Sequence, residues 1–212
     1  MTVEDAGPPS PAADAALTPT PEAERAPTHS GPWVRHDRRL VYDNPWLTVF
    51  HDEVSRPDGS PGIYGVVHFK RLAVGVVATD PDGRILLVGQ HRYTLDEYSW
   101  EIPEGGVEPD ETPLEGARRE LREETGYEAA AWRQLCRITV SNSVTDERGA
   151  IFHATDVREG TATPDATEEL VVRWAPLEEV SDMIDRGVIH DLLTIAGVSR
   201  FAAERAGRGS ER

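Results

Sequence analysis

The 212 residues carry a formal net charge of −16 and are 38% hydrophobic, which fits one globular domain of ordinary size with a tail. Such an acidic chain is a poor partner for nucleic acid polymers, and it has no stretch of about 18 apolar residues with which to span a membrane. Its single cysteine, Cys136, cannot form an internal disulfide, so we expect a reducing, cytoplasmic compartment.

The chain divides by composition into a tail and a domain. Residues 1–31 are rich in proline and alanine and contain no aromatic residue, so we predict a disordered tail there. Trp33 is the first aromatic residue, and residues 32–206 are predicted to form the domain, followed by a disordered C-terminus at 207–212. Within the domain, residues 33–70 are predicted to hold N-terminal strands, which lie at 39–42, 46–50 and 63–69.

A layered core is predicted for the rest of the domain. Residues 72–78 form a nearly continuous apolar run, which indicates a central strand, and Asp80-Pro81-Asp82-Gly83 indicates a turn into a strand at 85–88. Further elements are predicted as strands at 132–140, 150–157 and 170–175 and as helices at 177–186 and 189–205. This order favours an α/β or α+β domain around a mixed sheet.

A central helix is predicted between these strands. Residues 112–115, Thr-Pro-Leu-Glu, form a capping box with proline in the first helical position, and Gly126 stands where a helix commonly ends. Leu114, Ala117 and Leu121 fall on one stripe that should face the sheet. Gly116 falls among the glutamates of another face, which suggests that something approaches the helix backbone closely there.

That other face carries Glu120, Glu123 and Glu124, at positions i, i+3 and i+4. Like charges so placed repel one another unless a cation neutralises them. Carboxylate oxygens are hard ligands that suit Mg²⁺ or Mn²⁺ better than zinc, and the reaction class they indicate is hydrolysis of a phosphoanhydride. The alternative for such a pattern in isolation is a solvated acidic helix face.

The residues around this face resemble the Nudix box, Gly-x5-Glu-x7-Arg-Glu-U-x-Glu-Glu-x-Gly-U, in which U is aliphatic. The last position is a tyrosine here, Tyr127, a mild departure that affects packing and not the ligands. The fixed positions are filled by Gly105, Glu111, Arg119, Glu120, Leu121, Glu123, Glu124 and Gly126.

The resemblance implies the Nudix fold, an α/β/α sandwich around a mixed β-sheet, with extra N-terminal antiparallel strands. It also implies Mg²⁺, for which Mn²⁺ can substitute. Glu120 and Glu124 would be the principal metal ligands, and Glu123 an additional ligand, direct or through water. Arg119 would orient the glutamates by charge-assisted hydrogen bonds, and Glu111 would hold Arg119 or the loop.

Upstream residues resemble one branch of the family, the ADP-ribose and nucleotide-sugar pyrophosphatases. Residues 99–106, Ser-Trp-Glu-Ile-Pro-Glu-Gly-Gly, are similar to its lead-in, in which the backbone carbonyl before the box glycine also binds metal. Here that residue is Glu104, where alanine is common. Because any residue supplies a backbone carbonyl, the resemblance still implies metal binding by Glu104, which we also count among the substrate-binding residues. Arg92, in Gln-His-Arg-Tyr, resembles the arginine that contacts substrate in that branch; the alternative is a surface arginine at a strand end.

Two further roles are assigned by position. Tyr64 falls where the branch tends to place an aromatic that stacks on the base, although a plain strand aromatic fits equally. The catalytic base is predicted to be Glu169, with Glu168 as the alternative, in the acidic loop before a late strand. Asp146-Glu147 is a runner-up that could position substrate, and residues 183–191, similar to the closing helix pair of the branch, are given a structural role.

The predicted function is Mg²⁺-dependent hydrolysis of the pyrophosphate bond of ADP-ribose or a related nucleoside diphosphate sugar. The products would be a nucleoside monophosphate and a sugar phosphate. A sanitising nucleoside triphosphate pyrophosphohydrolase is the alternative enzyme. The alternative that is not an enzyme is a non-catalytic nucleotide sensor. The resemblance also implies a homodimer in which residues 33–70 contribute to the neighbour's site.

Overall fold

The computed structural model describes residues 27–160 and 170–209. They fall into two compact units. One contains the described residues up to Arg39 together with His51–Tyr64, and the other contains Leu40–Phe50 and the described residues from Gly65 onward. In these ranges we find no helix with the length and hydropathy needed to cross a membrane.

Four N-terminal strands form one sheet in the order β1-β2-β3-β4. Their bounds are β1 (Thr28–Ser30), β2 (Trp33–Asp43), β3 (Leu47–Ser55) and β4 (Pro61–Phe69). A turn joins β2 to β3, in which the Asn44 side chain accepts hydrogen bonds from the amides of Trp46 and Leu47, each at 2.8 Å. The strand patterns of this region predicted β2, β3 and β4, each of which is longer than predicted, and did not predict β1.

The remaining elements build two more sheets and three helices. They are β5 (Ala73–Ala78), β6 (Ile85–Arg92), β7 (Glu97–Glu101), β8 (Glu104–Gly106), α1 (Pro113–Thr125), β9 (Tyr127–Thr139), β10 (Arg148–Glu159), β11 (Val171–Ala175), α2 (Leu177–Asp185) and α3 (Leu192–Gly209). One sheet has the order β8-β5-β10-β9, with β5 and β10 parallel and the other pairs antiparallel, so it is mixed. The other sheet, β11-β6-β7, is antiparallel.

The core has two layers, one on each side of the mixed sheet. On β5 and β10, successive side chains point to opposite faces, so Val76 and Phe152 pack with α1 while Val77 and Ile151 pack on the other side. The α1 layer includes Ala117 and Leu121, and the opposite layer draws its apolar side chains from α2 and α3. This arrangement confirms the predicted α/β/α sandwich around a mixed sheet.

Both predicted disordered ends need correction where the structure describes them. Strand β1 lies within residues 1–31, and it pairs with β2 in the register His29–Val34. Composition misses such a strand because its ladder bonds join backbone groups and require no apolar side chain. At the other end, α3 continues to Gly209, beyond the predicted boundary at residue 206. Residues 1–26 and 210–212 lie outside the described residues.

Strands β7 and β8 were not predicted, and β7 shows why. Its inward side chains are polar, with Ser99 and Glu101 exposed by only 1% and 3%, whereas Tyr98 faces outward. The alternation is therefore the reverse of the apolar-in pattern by which strands are recognised. The last helix also begins later than predicted, at Leu192, because Asp191 caps it by accepting a hydrogen bond from the Thr194 amide at 2.7 Å.

Candidate active site

Helix α1 begins and ends at the residues that its sequence indicates. The Thr112 hydroxyl accepts a hydrogen bond from the Glu115 amide, and the Glu115 carboxylate accepts one from the Thr112 amide at 2.8 Å. Gly126 ends the helix with φ of 75°, a left-handed conformation that glycine adopts without strain. These two ends fix the register in which the glutamates are presented.

Packing turns the glutamate face away from the core. Ala117 and Leu121 are fully buried against the mixed sheet, so the side of α1 that carries Glu120 lies toward the residues before the helix. The Glu120 carboxylate lies directly against Gly105, because a β-carbon built there would come within 2.2 Å of Glu120 Cδ. Any side chain at position 105 would displace this carboxylate, which explains the glycine.

Glu124 contacts Glu104, the residue that precedes Gly105. It is only 9% exposed, and its Oε2 accepts a hydrogen bond from the Glu104 amide at 3.0 Å. Glu123 is more open, with 34% of its side chain exposed. The carboxylates of Glu120 and Glu124 thus border the dipeptide Glu104–Gly105, the segment that the family resemblance assigns to metal binding.

Arg119 organises this face from one side. Its Nη1 donates to Glu120 at 2.7 Å and to Glu123 at 3.0 Å, and its Nη2 donates to the Gly106 carbonyl at 2.7 Å. Its Nε and Nη2 also bond both oxygens of Glu111, at 2.8 and 2.9 Å. These hydrogen bonds raise the pKa of the Arg119 guanidinium above its usual range, so it stays charged.

Glu111 ties the same arginine to the loop before α1. The hydrogen bonds from Arg119 hold the pKa of Glu111 below its usual range, and the Glu108 amide donates to Glu111 Oε2 at 3.0 Å. The space beside Gly116 is filled by this loop, since a β-carbon there would lie 3.1 Å from a Val107 methyl. The close approach expected at Gly116 is thus the loop of the same chain, at Val107 and Glu111.

On the other side of the Glu104–Gly105 segment, Arg92 is held by two carboxylates. Its Nε lies 2.9 and 3.0 Å from the two oxygens of Glu101, and its Nη2 contacts Glu101 and lies 3.0 Å from Glu104 Oε1. Burial alone would lower the pKa of Arg92, but the bonds and charge of Glu101 raise it overall, so the guanidinium stays protonated. Its Nη1 donates to no residue in the described ranges.

The Glu104 side chain is only 14% exposed and lies among other carboxylates. Burial raises the pKa of Glu104 well above its usual range, and the charges of Asp191 and Glu101 raise it further, against the effect of Arg92. One oxygen each from Glu101, Glu104 and Asp191 lie within 4.8 Å of one another. Among the described residues, these three carboxylates form a group with this close spacing, whereas Glu120, Glu123 and Glu124 do not.

A cavity of about 530 Å³ opens over these side chains. Glu101, Glu104 and Asp191 line it together with Arg92, and Glu147 and His190 are further charged or titratable residues in its lining. Burial raises the pKa of Glu147, and the Asp146 charge adds to the shift. Of the runner-up pair, Glu147 thus lines the cavity, while Asp146 bonds the His68 ring at 2.6 Å.

Sequence reasoning missed Glu101 and Asp191 as members of this group. Glu101 stood in the lead-in segment before the box, and Asp191 in the closing segment that was given a structural role. Asp191 does have that role as the cap of α3. Each of them is a charged residue inside a motif, at a position where packing does not require a charge. That signal could have identified both residues.

Three predicted site residues remain, Tyr64, Glu168 and Glu169. Tyr64 lies on β4 in the first unit, where its ring makes an edge contact with Trp33 at a centroid distance of 5.5 Å. Its stacking on a base stays a prediction. Glu168 and Glu169, the alternatives for the catalytic base, lie outside the described residues.

The donor set fits a hard divalent cation. Glu120 and Glu124 offer carboxylate oxygens beside the backbone of Glu104–Gly105. Among the described residues that line the cavity beside Glu104, His190 is the one histidine and none is a cysteine. The Nε2 of His190 is directed to Glu97, at 3.5 Å. An oxygen-only set of this kind suits Mg²⁺, which keeps several water or phosphate ligands.

Comparison with known proteins gives consistent matches. The NUDIX domain family model matches residues 69–193, and the model described as nucleoside diphosphate sugar hydrolase N-terminal domain matches residues 33–67. An ADP-ribose pyrophosphatase of Mycobacterium tuberculosis is 35% identical over 161 residues, which cover 74% of this chain and 76% of that protein.

Two further proteins extend the comparison. A CMP-5′-(N-acetyl-N-hydroxy-3-aminopropyl)phosphonate hydrolase of Streptomyces rubellomurinus is 31% identical over 155 residues, 73% of this chain and 75% of its own. The crystal structure of an ADP compounds hydrolase superposes with a TM-score of 0.76 at 21% identity, covering 86% of this chain and 96% of that one. At that identity the structural match supports the fold.

Proposed function

This chain belongs to the Nudix hydrolase family, and on that premise we propose that it hydrolyses the pyrophosphate bond of ADP-ribose or a related nucleoside diphosphate sugar. The products are a nucleoside monophosphate and a sugar phosphate. The similarity to an ADP-ribose pyrophosphatase and the match to a nucleoside diphosphate sugar hydrolase N-terminal domain both support this substrate class.

The observation that carries the proposal is the convergence of Glu120 and Glu124 on one short backbone segment. Glu120 packs on Gly105, and Glu124 accepts the Glu104 amide. A phosphoanhydride brings negative charge to this segment, and the chain itself carries a net charge of −16. The substrate therefore needs local positive charge, which Arg92, Arg119 and a bound cation would supply.

We propose Mg²⁺ as that cation, with Mn²⁺ able to substitute. Glu120 and Glu124 would hold it with the Glu104 carbonyl, and Glu123 would assist directly or through water. The ion would supply positive charge at the phosphate oxygens and make a water molecule easier to deprotonate.

The chain's own residues then position the reacting groups. Arg119 keeps Glu120 and Glu123 in place by the hydrogen bonds described above. Arg92 offers Nη1 to a substrate oxygen while Glu101 and Glu104 hold the rest of its guanidinium. The proton acceptor is proposed to be Glu169, or Glu168 beside it.

A product panel tests this function. The protein is offered ADP-ribose, other nucleoside diphosphate sugars, dinucleoside diphosphates and nucleoside triphosphates with Mg²⁺, and the products are resolved by anion-exchange chromatography. We expect nucleoside monophosphate and sugar phosphate from a diphosphate sugar. Brisk release of pyrophosphate from a triphosphate, with diphosphate sugars left intact, would replace the proposal by a triphosphate pyrophosphohydrolase. Binding without cleavage of any compound would indicate a nucleotide sensor.

A homodimer and a cytoplasmic location stay predictions. Leu40, Tyr42 and Trp46 are 57%, 55% and 66% exposed on the segment Leu40–Phe50, which is unusual for large apolar side chains. A second copy covering them would explain this exposure. Light scattering tests the dimer, since one chain weighs 23.4 kDa.

A further inference from the structure

We propose that Glu101, Glu104 and Asp191 form a second binding site for a hard divalent cation, separate from the box glutamates. The three carboxylates come from the end of β7, the start of β8 and the cap of α3. One oxygen from each lies within 4.8 Å of the others, and all three residues line the 530 Å³ cavity.

A buried oxygen without a partner indicates that a ligand belongs there. Glu104 Oε1 accepts from Arg92, but Glu104 Oε2 is fully buried and has no hydrogen-bond partner among the described residues. Leaving a polar oxygen in that state is costly, because a buried polar group loses its hydration without compensation. A cation among the three carboxylates would satisfy this oxygen.

The local charge also fits a divalent ion. Arg92 is the positive group that bonds these carboxylates, and it contacts Glu101 and Glu104. Asp191 receives one backbone amide, that of Thr194, at one of its oxygens. Three carboxyl groups face one guanidinium, so the cluster carries more acidic than basic groups, and a divalent cation would offset that excess.

The donor atoms constrain the kind of ion. One carboxylate oxygen from each residue lies within 4.8 Å of the others, so a single cation could contact all three once the side chains close around it. All donors are oxygens, which favours a hard ion over zinc.

The proposed role of this ion rests on the proposed function. Without a cation, the carboxylates of Glu101, Glu104 and Asp191 would repel an anionic group that enters the cavity. With a cation, the same surface offers positive charge to a phosphate and carboxylate acceptors to sugar hydroxyls. Binding of the ion does not depend on this role, so it can be measured without substrate.

The test counts Mn²⁺ ions bound per full-length chain, from the free Mn²⁺ signal in electron paramagnetic resonance. Glu104→Gln keeps the backbone carbonyl and removes one charge, and Asp191→Asn keeps an oxygen that can cap α3. We expect each variant to bind one Mn²⁺ fewer than the wild type. Glu147→Gln is the matched control, because it removes a carboxylate that lines the same cavity outside the cluster, and its count should equal that of the wild type.

A second arm separates this site from the box. Glu120→Gln/Glu124→Gln should still bind one Mn²⁺, and adding Glu104→Gln should abolish that binding. An unchanged count in both Glu104→Gln and Asp191→Asn would overturn the proposal, and so would complete loss of Mn²⁺ in the box variant. Because no substrate is present, failure here leaves the hydrolase proposal to be judged by its product panel.

Discussion

At the scale of single residues, Arg119 is the side chain on which most of the site geometry depends. It joins Glu111, Glu120, Glu123 and the Gly106 carbonyl. A planar guanidinium can make these bonds in several fixed directions, whereas an ammonium group is a point charge on a flexible stem. We therefore propose that Arg119 is a positioning residue, which would act on the reaction through the glutamates.

Replacing Arg119 should change the Mg²⁺ dependence of the activity more than the stability of the fold. For Arg119→Lys we expect the Mg²⁺ concentration for half-maximal activity to rise, or kcat to fall, by about 10- to 100-fold, the usual cost of losing a residue that orients metal ligands. Rate measurements across a Mg²⁺ titration check this, with Arg118→Lys on the exposed side of α1 as the control. An unchanged Mg²⁺ dependence would show that Arg119 does not position the ligands.

At the scale of elements, α1 could be predicted in detail because its signals are local. The capping box, the terminal glycine and the apolar stripe all lie within the segment 112–126. The cluster of Glu101, Glu104 and Asp191 could not be predicted, because strand pairing and the cap of α3 bring together residues distant in sequence. Strand β7 was missed because its buried side chains, Ser99 and Glu101, are polar.

The helix cap gives a stability prediction at this scale. Thr112→Ala removes the hydroxyl that accepts the Glu115 amide, so the free energy of unfolding should fall by about 0.5–2 kcal/mol. Thr112→Ser keeps a hydroxyl and should lose much less. Urea unfolding followed by circular dichroism measures both, and equal stability of Thr112→Ala and the wild type would mean that the cap contributes nothing.

At the scale of the whole molecule, the layered core determines the positions of α1 and β8, which carry the candidate site residues. Side chains on β5 and β10 alternate between the α1 layer and the α2–α3 layer, so both helix layers are fixed on one mixed sheet. Strand β8 pairs with β5, and this pairing holds Glu104 and Gly105 in place beside α1. The family, the fold and the helix were accessible from sequence, whereas the arrangement of charges around Glu104 required the structure.

We propose that the glutamate face of α1 carries a metal-dependent hydrolysis. The most direct test of this claim is kcat of Glu124→Gln on the best substrate of the product panel at saturating Mg²⁺. The glutamine oxygen can still accept the Glu104 amide, so the melting temperature should stay near that of the wild type.

We expect kcat to fall by at least about 100-fold, roughly 2.7 kcal/mol of transition-state stabilisation. Glu128→Gln, which removes an exposed carboxylate paired with Arg158, should leave kcat unchanged. A folded Glu124→Gln protein with kcat within about threefold of the wild type, less than 1 kcal/mol, would contradict the claim.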